Sequence, residues 1–163
     1  MFLLDIRTKA TVQLTGELFP SLIDSFSPDG RTIFVAGNQH TPGKHETSPG
    51  VPSIVLVGDR LRGLIDDVGV AYPNAGVVSP DGSKIVFTMR SDPSGYDLFV
   101  IDRDGSIPRR LTSLNTYITT ETLSFTPDGK RVVFLKEPSS DGSGQICIVG
   151  IDGRGFEVIA DNY

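Results

Sequence analysis

A four-residue segment occurs three times in this chain, as Ser27–Gly30, Ser79–Gly82 and Thr126–Gly129. Each copy reads serine or threonine, proline, aspartate and glycine, and each is soon followed by an apolar run: I-F-V, I-V-F or V-V-F. The prolines are 52 and 47 residues apart. Recurrence at this period with strand-forming residues is typical of a repeat protein whose unit is one four-stranded sheet.

The last repeat shows the plan of one unit. Strands are predicted over 121–126, 130–136, 145–151 and 156–160, because strand-forming residues are concentrated there and turn residues separate them. In each Pro-Asp-Gly turn, proline fixes φ at the first corner, aspartate can accept a bond from its own backbone, and glycine supplies a positive φ. We therefore expect positive φ at glycines such as Gly82 and Gly129. Asp104-Gly105 and Asp152-Gly153 are predicted to close the hairpins between third and fourth strands.

Apolar residues are consecutive in the middle strands, as in Leu98–Ile101, Val132–Leu135 and Ile146–Val149. A strand with one wet face would alternate, so both faces of these strands should be covered. Blades stacked face to face in a propeller cover both sides of their central strands. The predicted fold is all-β, a β-propeller of about three and a half four-stranded blades.

The template divides the chain into one propeller segment, 1–163, made of a half-blade and three complete blades. The half-blade is 1–17, and the complete blades are 18–66, 67–112 and 113–161.

The half-blade is inferred from a match between two parts of the sequence. Phe2–Ile6 and Val12–Thr15 match Leu98–Asp102 and Arg109–Thr112, so the chain opens on the last two strands of a blade. Propellers carry about four to eight blades, and an open arc would expose apolar blade faces. We expect a fragment of a longer propeller or a chain with a misassigned start. Association with another chain, including self-association through the open faces, is the alternative.

Composition limits the partners. The chain has 163 residues and a formal net charge of −5, without a block of lysine or arginine, so nucleic acid is not an expected partner. No run approaches the roughly 18 apolar residues of a membrane span, so no membrane insertion is expected. Charges interrupt the opening M-F-L-L-D-I-R too early for it to be a secretory signal. The single cysteine, Cys147, lies in an apolar run, where a buried, unreactive thiol is expected.

The stretch Ser79–Thr112 contains S-P-D-G, then D-L-F-V-I-D-R-D-G, then R-R-L-T. It resembles the repeat of TolB-like propellers almost position for position. The resemblance implies a propeller that binds partner proteins of the cell envelope, and similar repeats form the propellers of prolyl-oligopeptidase-type peptidases. Localisation stays open: periplasmic if the resemblance holds and a signal lies upstream, cytoplasmic if the chain is complete.

One face of the predicted propeller is the expected binding site. In a four-stranded meander, the Pro-Asp-Gly turns share one face, here called the turn face. The longer second-to-third loops and the blade connections share the other, the loop face, and long loops on a rigid scaffold commonly carry binding sites. Aromatic and polar groups at a concave mouth suit a peptide or small ligand, whereas aromatics that merely fill gaps between blades are the alternative. The candidate ligand-binding residues are Tyr72, Asn74, Tyr117, Thr120 and Glu121, which are expected near the central channel because each comes just before an innermost strand.

The longest insert, 37–52, contains both histidines of the chain. His40, His45 and Glu46 could ligate Zn²⁺. A proline and a glycine between the histidines forbid the helical geometry of H-E-x-x-H sites, and the chain has no third histidine. A polar loop without metal is therefore predicted, and no other motif calls for a cofactor.

No catalytic residue is predicted. The chain lacks the G-x-S-x-G segment of a nucleophile elbow, and both histidines lie in one insert, so a Ser-His-Asp triad has no evident base. Arg109 and Arg110 could bind a carboxylate or phosphate, but their place in the repeat favours a structural strand end.

The sequence therefore predicts a non-catalytic propeller that recognises a protein or peptide. The alternative is the regulatory propeller of a prolyl-oligopeptidase-type peptidase or polysaccharide-degrading enzyme whose catalytic part is absent from this sequence.

Overall fold

The computed structural model of the protein describes residues 2–13, 18–30, 33–39, 51–57, 62–66, 73–92, 95–103, 107–114, 116–137 and 143–161. Regular structure in these ranges consists of β-strands in antiparallel sheets, as the sequence predicts. These residues include no helix of the length and apolarity that crossing a membrane requires. The predicted Asp104-Gly105 turn lies outside the described ranges.

The described strands form four sheets, each in chain order. The half-sheet contains β1 (Phe2–Leu4) and β2 (Thr11–Gln13). Sheet I contains β3 (Leu18–Phe26), β4 (Ile33–Gln39), β5 (Val51–Val57) and β6 (Arg62–Asp66). Sheet II contains β7 (Pro73–Val78), β8 (Lys84–Asp92), β9 (Gly95–Asp102) and β10 (Arg109–Arg110). Sheet III contains β11 (Ile118–Phe125), β12 (Arg131–Lys136), β13 (Gln145–Gly150) and β14 (Glu157–Ala160).

The three larger sheets meet through their first strands. β7 lies against β3 of sheet I on one side and against β11 of sheet III on the other. The first strand is therefore the innermost in each sheet, and the fourth strand lies at the outer rim.

Sheet II carries an apolar core on each face, because side chains alternate between the two faces along a strand. Toward sheet I, the rings of Phe87 and Phe99 stack with centroids 6.1 Å apart, and Ile85 and Ile101 pack with them. The opposite face packs against sheet III in a cluster that includes Val86, Leu98, Val100, Val132, Phe134, Cys147 and Val149. Each fully buried side chain of this size stabilises the fold by about 1.5–3 kcal/mol. The predicted burial of Leu98–Ile101 on both faces and of Cys147 is confirmed.

Sheet III is covered less completely than the consecutive apolar residues of its middle strands predict. Val132 and Phe134 of β12 are buried against sheet II, whereas Val133 and Leu135, which alternate with them, are only half-buried. None of the described residues forms a sheet against the face that carries Val133 and Leu135. Val133 and Leu135 are therefore covered less than expected, because among the described residues only sheet II packs against sheet III.

The half-sheet pairs as the last two strands of sheet II do, but the predicted match is displaced by one residue. Phe2 lies opposite Gln13, and Phe99 lies opposite Arg110. Since Gln13 corresponds to Arg110 in the matched segments, Phe2 is the equivalent of Phe99 and not of Leu98. β1 therefore corresponds to a third strand and β2 to a fourth, and Leu4 corresponds to Ile101.

Candidate functional site

The repeated tetrapeptide forms the same closed turn in sheets I, II and III. The N–H of Gly82 donates to the carbonyl of Ser79 (2.8 Å), and the Ser79 hydroxyl donates to Asp81 Oδ1 (2.6 Å) while accepting from the N–H of Lys84 (2.9 Å). The corresponding hydroxyl-to-aspartate contact is 2.6 Å at both other turns. The glycines have φ of +68° at Gly30, +73° at Gly82 and +67° at Gly129, which confirms the predicted positive φ.

In sheets II and III these turns lower the pKa of their aspartates. The pKa of Asp81 is lowered to about 2, first by the hydrogen bond from the hydroxyl of Ser79 and then by the N–H and hydroxyl of Ser83. In sheet III the hydroxyl of Thr126 lowers the pKa of Asp128 in the same way. Hydrogen bonds donated to a carboxylate favour its charged form. The serine or threonine of the tetrapeptide therefore stabilises the charged aspartate of its turn, a role that the sequence analysis did not predict.

Consecutive turns also touch one another. A Cβ added at Gly82 would lie 3.6 Å from Cδ of Pro28, and one added at Gly129 would lie 3.5 Å from Cδ of Pro80. The proline ring of one sheet thus lies beside the glycine of the next, and the turn face is a row of short turns packed together.

The buried carboxylate of Asp97 accepts hydrogen bonds that hold the outer part of sheet II in place. Asp97 is fully buried, and its Oδ1 accepts from the hydroxyl of Thr112 (2.8 Å) and the N–H of Leu114 (2.7 Å). Its Oδ2 accepts from the hydroxyl of Ser91 (2.6 Å) and from the guanidinium of Arg110. We call Asp97 and these four partners the Asp97 latch. It ties β9 to the segment that leads from β10 to sheet III.

The two arginines of R-R-L-T therefore have structural roles. Arg110 completes the Asp97 latch, and Arg109 donates from its guanidinium to the carbonyl of Ile151 in sheet III. The predicted structural strand end is confirmed.

On the loop face, two tyrosines from neighbouring sheets meet. The rings of Tyr96, at the start of β9, and Tyr117, in the connection to sheet III, have centroids 5.8 Å apart and planes at 82°. The N–H of Tyr96 donates to the carbonyl of Thr116 (2.9 Å), and the N–H of Glu137 donates to the carbonyl of Tyr117 (3.0 Å). The connection is thus bonded to both sheets, and the Tyr117 ring is 55% exposed.

The remaining candidates are placed less completely. Tyr72, His40, His45 and Glu46 lie outside the described residues. Asn74 lies in β7 opposite Thr88, at a register shift that ends at Gly76. Thr120 and Glu121 lie in β11 within the register shift between Thr119 and Ser124. Bulges of this kind bend a strand and often occur beside functional sites, and β3 carries them as well.

The structure brings Tyr117 together with Tyr96, a residue that the sequence analysis did not select. Tyr96 follows directly on the connection between the second and third strands of its repeat, so its place on the loop face could be inferred from the sequence. Its proximity to Tyr117 could not, since the two residues belong to different sheets.

A cleft of about 400 Å³ lies elsewhere, at the outer rim between sheets II and III. Arg110 and Leu114 line it from sheet II, and Gly153 and Phe156 line it from sheet III. Phe156 is 41% exposed. Apart from Arg110, this cleft contains none of the residues that the sequence analysis considered for binding.

The described ranges offer little support for a metal site or a reactive thiol. They contain no group of three or more histidine, cysteine, aspartate or glutamate residues that could hold a metal ion. Burial raises the pKa of the Cys147 thiol above its ordinary value, which lowers its reactivity at neutral pH.

Comparison with known proteins decides the fold. No family model matches the chain. A TolB from Agrobacterium tumefaciens is 21% identical, with a TM-score of 0.70 over 90% of this chain and 51% of that chain. The fold is a TolB-like β-propeller segment. An oligogalacturonate lyase from Vibrio parahaemolyticus is 16% identical, with a TM-score of 0.63 over 99% of this chain and 46% of the lyase. A puromycin-hydrolyzing peptidase from Mycobacterium tuberculosis is 17% identical, with a TM-score of 0.68 over 93% of this chain and 26% of the peptidase.

The chain spans about half of the TolB and lyase chains and about a quarter of the peptidase chain. Identities of 16–21% establish the propeller fold alone. The predicted all-β, incomplete propeller with four-stranded blades is confirmed. The boundaries assigned to the segment and its blades stay a prediction.

Proposed function

We propose that this propeller segment is a non-catalytic binding module that recognises a protein or peptide through its loop face. The observation that supports this most is the exposed ring of Tyr117, set edge-on to Tyr96 on a connection bonded to both sheets. A tyrosine held in this way offers a large contact area at a small cost in conformational entropy, which is why tyrosine is enriched at interfaces.

The proposed site also includes the described candidates of the innermost strands. Asn74, Thr120 and Glu121 belong to β7 and β11, which lie against each other. With Tyr72 and Tyr117 they supply amide, hydroxyl, carboxylate and aromatic groups, a mixture suited to an extended peptide.

A selection from a displayed peptide library against the immobilised full chain tests the proposal. Selected peptides should bind the Tyr117→Ser variant about tenfold more weakly, as expected for an interface anchor. The matched control is Phe156→Ser, since Phe156 is an exposed aromatic ring at the outer rim. Unchanged binding to Tyr117→Ser, with loss on Phe156→Ser, would contradict the proposal and move the site to the rim cleft.

The second candidate function is the regulatory propeller of a peptidase or polysaccharide-degrading enzyme. The structural similarity to the peptidase and lyase chains favours it. The coding sequence on either side of this chain distinguishes the two functions. A nucleophile elbow downstream supports the enzyme, and a signal peptide with a small α/β domain upstream supports the TolB-type binder.

A further inference from the structure

The rim cleft between sheets II and III has two walls that hydrogen bonds hold together. Arg110 lines it from sheet II, and Phe156 lines it from sheet III. Next to them in the chain, the guanidinium of Arg109 donates to the carbonyl of Ile151, which ties the outer strand of sheet II to sheet III. The walls are therefore in place before a ligand enters, as in most ligand-binding sites.

The guanidinium of Arg110 gives the cleft a fixed, flat surface. Its Nε donates to the carbonyl of Thr112 (2.7 Å), and its Nη2 donates to the buried carboxylate of Asp97. Because the N–H groups lie in the guanidinium plane, these bonds fix the plane without covering its faces. The Arg110 side chain is 40% exposed. An aromatic ring can stack on such a face.

Phe156 adds an aromatic ring from sheet III. Its ring packs on the buried Phe134, with centroids 6.5 Å apart, and Phe156 is still 41% exposed. The turn before it is closed by hydrogen bonds from the N–H of Gly153 to the carbonyl of Gly150 (2.8 Å) and from the N–H of Gly150 to the carbonyl of Arg154 (2.8 Å). Both the ring and the chain that carries it are therefore held in place.

The charges of the cleft favour a neutral ligand. The buried carboxylate of Asp97 already balances the charge of Arg110, so an anion in the cleft would compete with this pair. None of the described residues that line the cleft is acidic, so a cation would meet no opposite charge from them. An aliphatic group would gain neither pairing with the Phe156 ring nor stacking on Arg110. A neutral aromatic ring gains both.

The size and surroundings of the cleft suit one side chain of a partner protein. Its volume of about 400 Å³ lies near the lower end of ligand-binding cavities. Ser113 is exposed in the cleft lining and offers a hydroxyl to an indole N–H or a phenol. On the strand that follows Phe156, Val158 and Ile159 are also exposed, and adjoining apolar surface is typical of protein contacts.

We propose that the rim cleft binds one aromatic side chain of a partner protein, a tryptophan or a tyrosine. The ring stacks on the guanidinium of Arg110 and contacts the ring of Phe156, and its N–H or O–H donates to the hydroxyl of Ser113. Arg110 thereby has two roles: its N–H groups complete the Asp97 latch, and its flat face binds the ligand. The site is distinct from the loop face and does not depend on the function proposed there.

N-acetyl-tryptophanamide serves as the probe, because the chain contains no tryptophan whose emission would overlap that of the probe. It should bind the full chain saturably with a Kd of about 1 mM or below. Its emission should shift to shorter wavelength as the indole leaves water. N-acetyl-leucinamide should compete about fivefold more weakly, because it lacks a ring. Equal competition by the leucine compound would overturn the proposal.

Two variants test whether the probe lies in the cleft. Phe156→Leu keeps an apolar side chain against Phe134 but removes the ring, and Arg110→Lys keeps the charge but removes the flat guanidinium. Each should weaken probe binding about fivefold, the loss expected for one aromatic or cation–π contact. The matched control Ile107→Ala removes an exposed apolar side chain that does not line the cleft, and it should leave binding unchanged. Unchanged binding to Phe156→Leu, a variant that leaves the Asp97 latch intact, would overturn the proposal.

A second probe distinguishes the side chain of a partner from a free aromatic compound. The blocked pentapeptide Gly-Ser-Trp-Ser-Gly should bind within about twofold of the amide, because the cleft opens at the outer rim and leaves room for the chain on both sides of the tryptophan. Binding of the amide alone would overturn the assignment to a protein partner. A single ring of about millimolar affinity does not retain a displayed peptide through washing, so the library selection reports on the loop face and the probe reports on the rim cleft.

Discussion

Removal of the Asp97 carboxylate should destabilise the propeller segment far more than removal of an exposed aspartate. The Asp97→Ala change leaves the N–H of Leu114 and the hydroxyls of Thr112 and Ser91 without their acceptor. Each lost bond of this kind costs about 1 kcal/mol. The Arg110 side chain is 40% exposed and can be rehydrated, so its loss adds little. We expect a decrease of about 3 kcal/mol in the free energy of unfolding.

Removal of the Arg110 cation instead should lower the free energy of unfolding by at least as much. Arg110→Met leaves a fully buried carboxylate without its charge partner, which typically costs about 3–5 kcal/mol. Because the two residues act as a unit, the Asp97→Ala, Arg110→Met double variant should be less destabilised than the sum of the single variants, by about 1 kcal/mol or more.

Urea unfolding followed by circular dichroism measures these differences. The matched control is Asp102→Ala, which removes the exposed ion pair of Lys84 with Asp102 and should cost less than about 1 kcal/mol. An Asp97→Ala loss no larger than that of Asp102→Ala, or strict additivity in the double variant, would refute the structural role of the latch.

Three further outcomes are expected. Gly129→Val should cost about 1–3 kcal/mol through strain at positive φ; a urea midpoint shift no larger than that of the exposed control Ile107→Val would contradict the turn assignment. Ser79→Ala should move acid unfolding to higher pH, because the depressed pKa of Asp81 contributes stability above its ordinary pKa of 3.8 that is lost as pH falls toward about 2; an unchanged circular dichroism titration would contradict this. Sedimentation velocity should show self-association through exposed apolar residues such as Phe26; a sharp monomer boundary with a cooperative melt would contradict it.

The fold could be predicted because its signals are local. The tetrapeptide sets the turns, and the consecutive apolar residues of Leu98–Ile101 require two covered faces. Both features depend on residues adjacent in the sequence. The predicted strand over 121–126 begins earlier in the structure, at Ile118, because β11 continues through a register shift that no local pattern reveals.

The candidate site could be predicted only in part, because its contacts join different sheets. The exposure of Tyr117 follows from its place in a connection, but its contact with Tyr96 depends on how sheets II and III are stacked. In the sequence, Asp97 is only a polar residue near the start of an apolar strand. Its burial depends on four hydrogen-bond donors up to 17 residues away, which the local sequence does not reveal. The row of prolines beside glycines likewise requires the stacking of whole sheets.

Native-state amide exchange, resolved strand by strand, tests most directly that these sheets stack face to face as propeller blades. Sheet II is covered on both faces, so amides of β8 and β9 should exchange most slowly and approach the rate set by global unfolding. Amides of β13 should be intermediate, and those of β1 and β2 should exchange fastest. Equal protection of β1, β9 and β13 would contradict the account, since it would mean that stability does not depend on the covering of one sheet by the next.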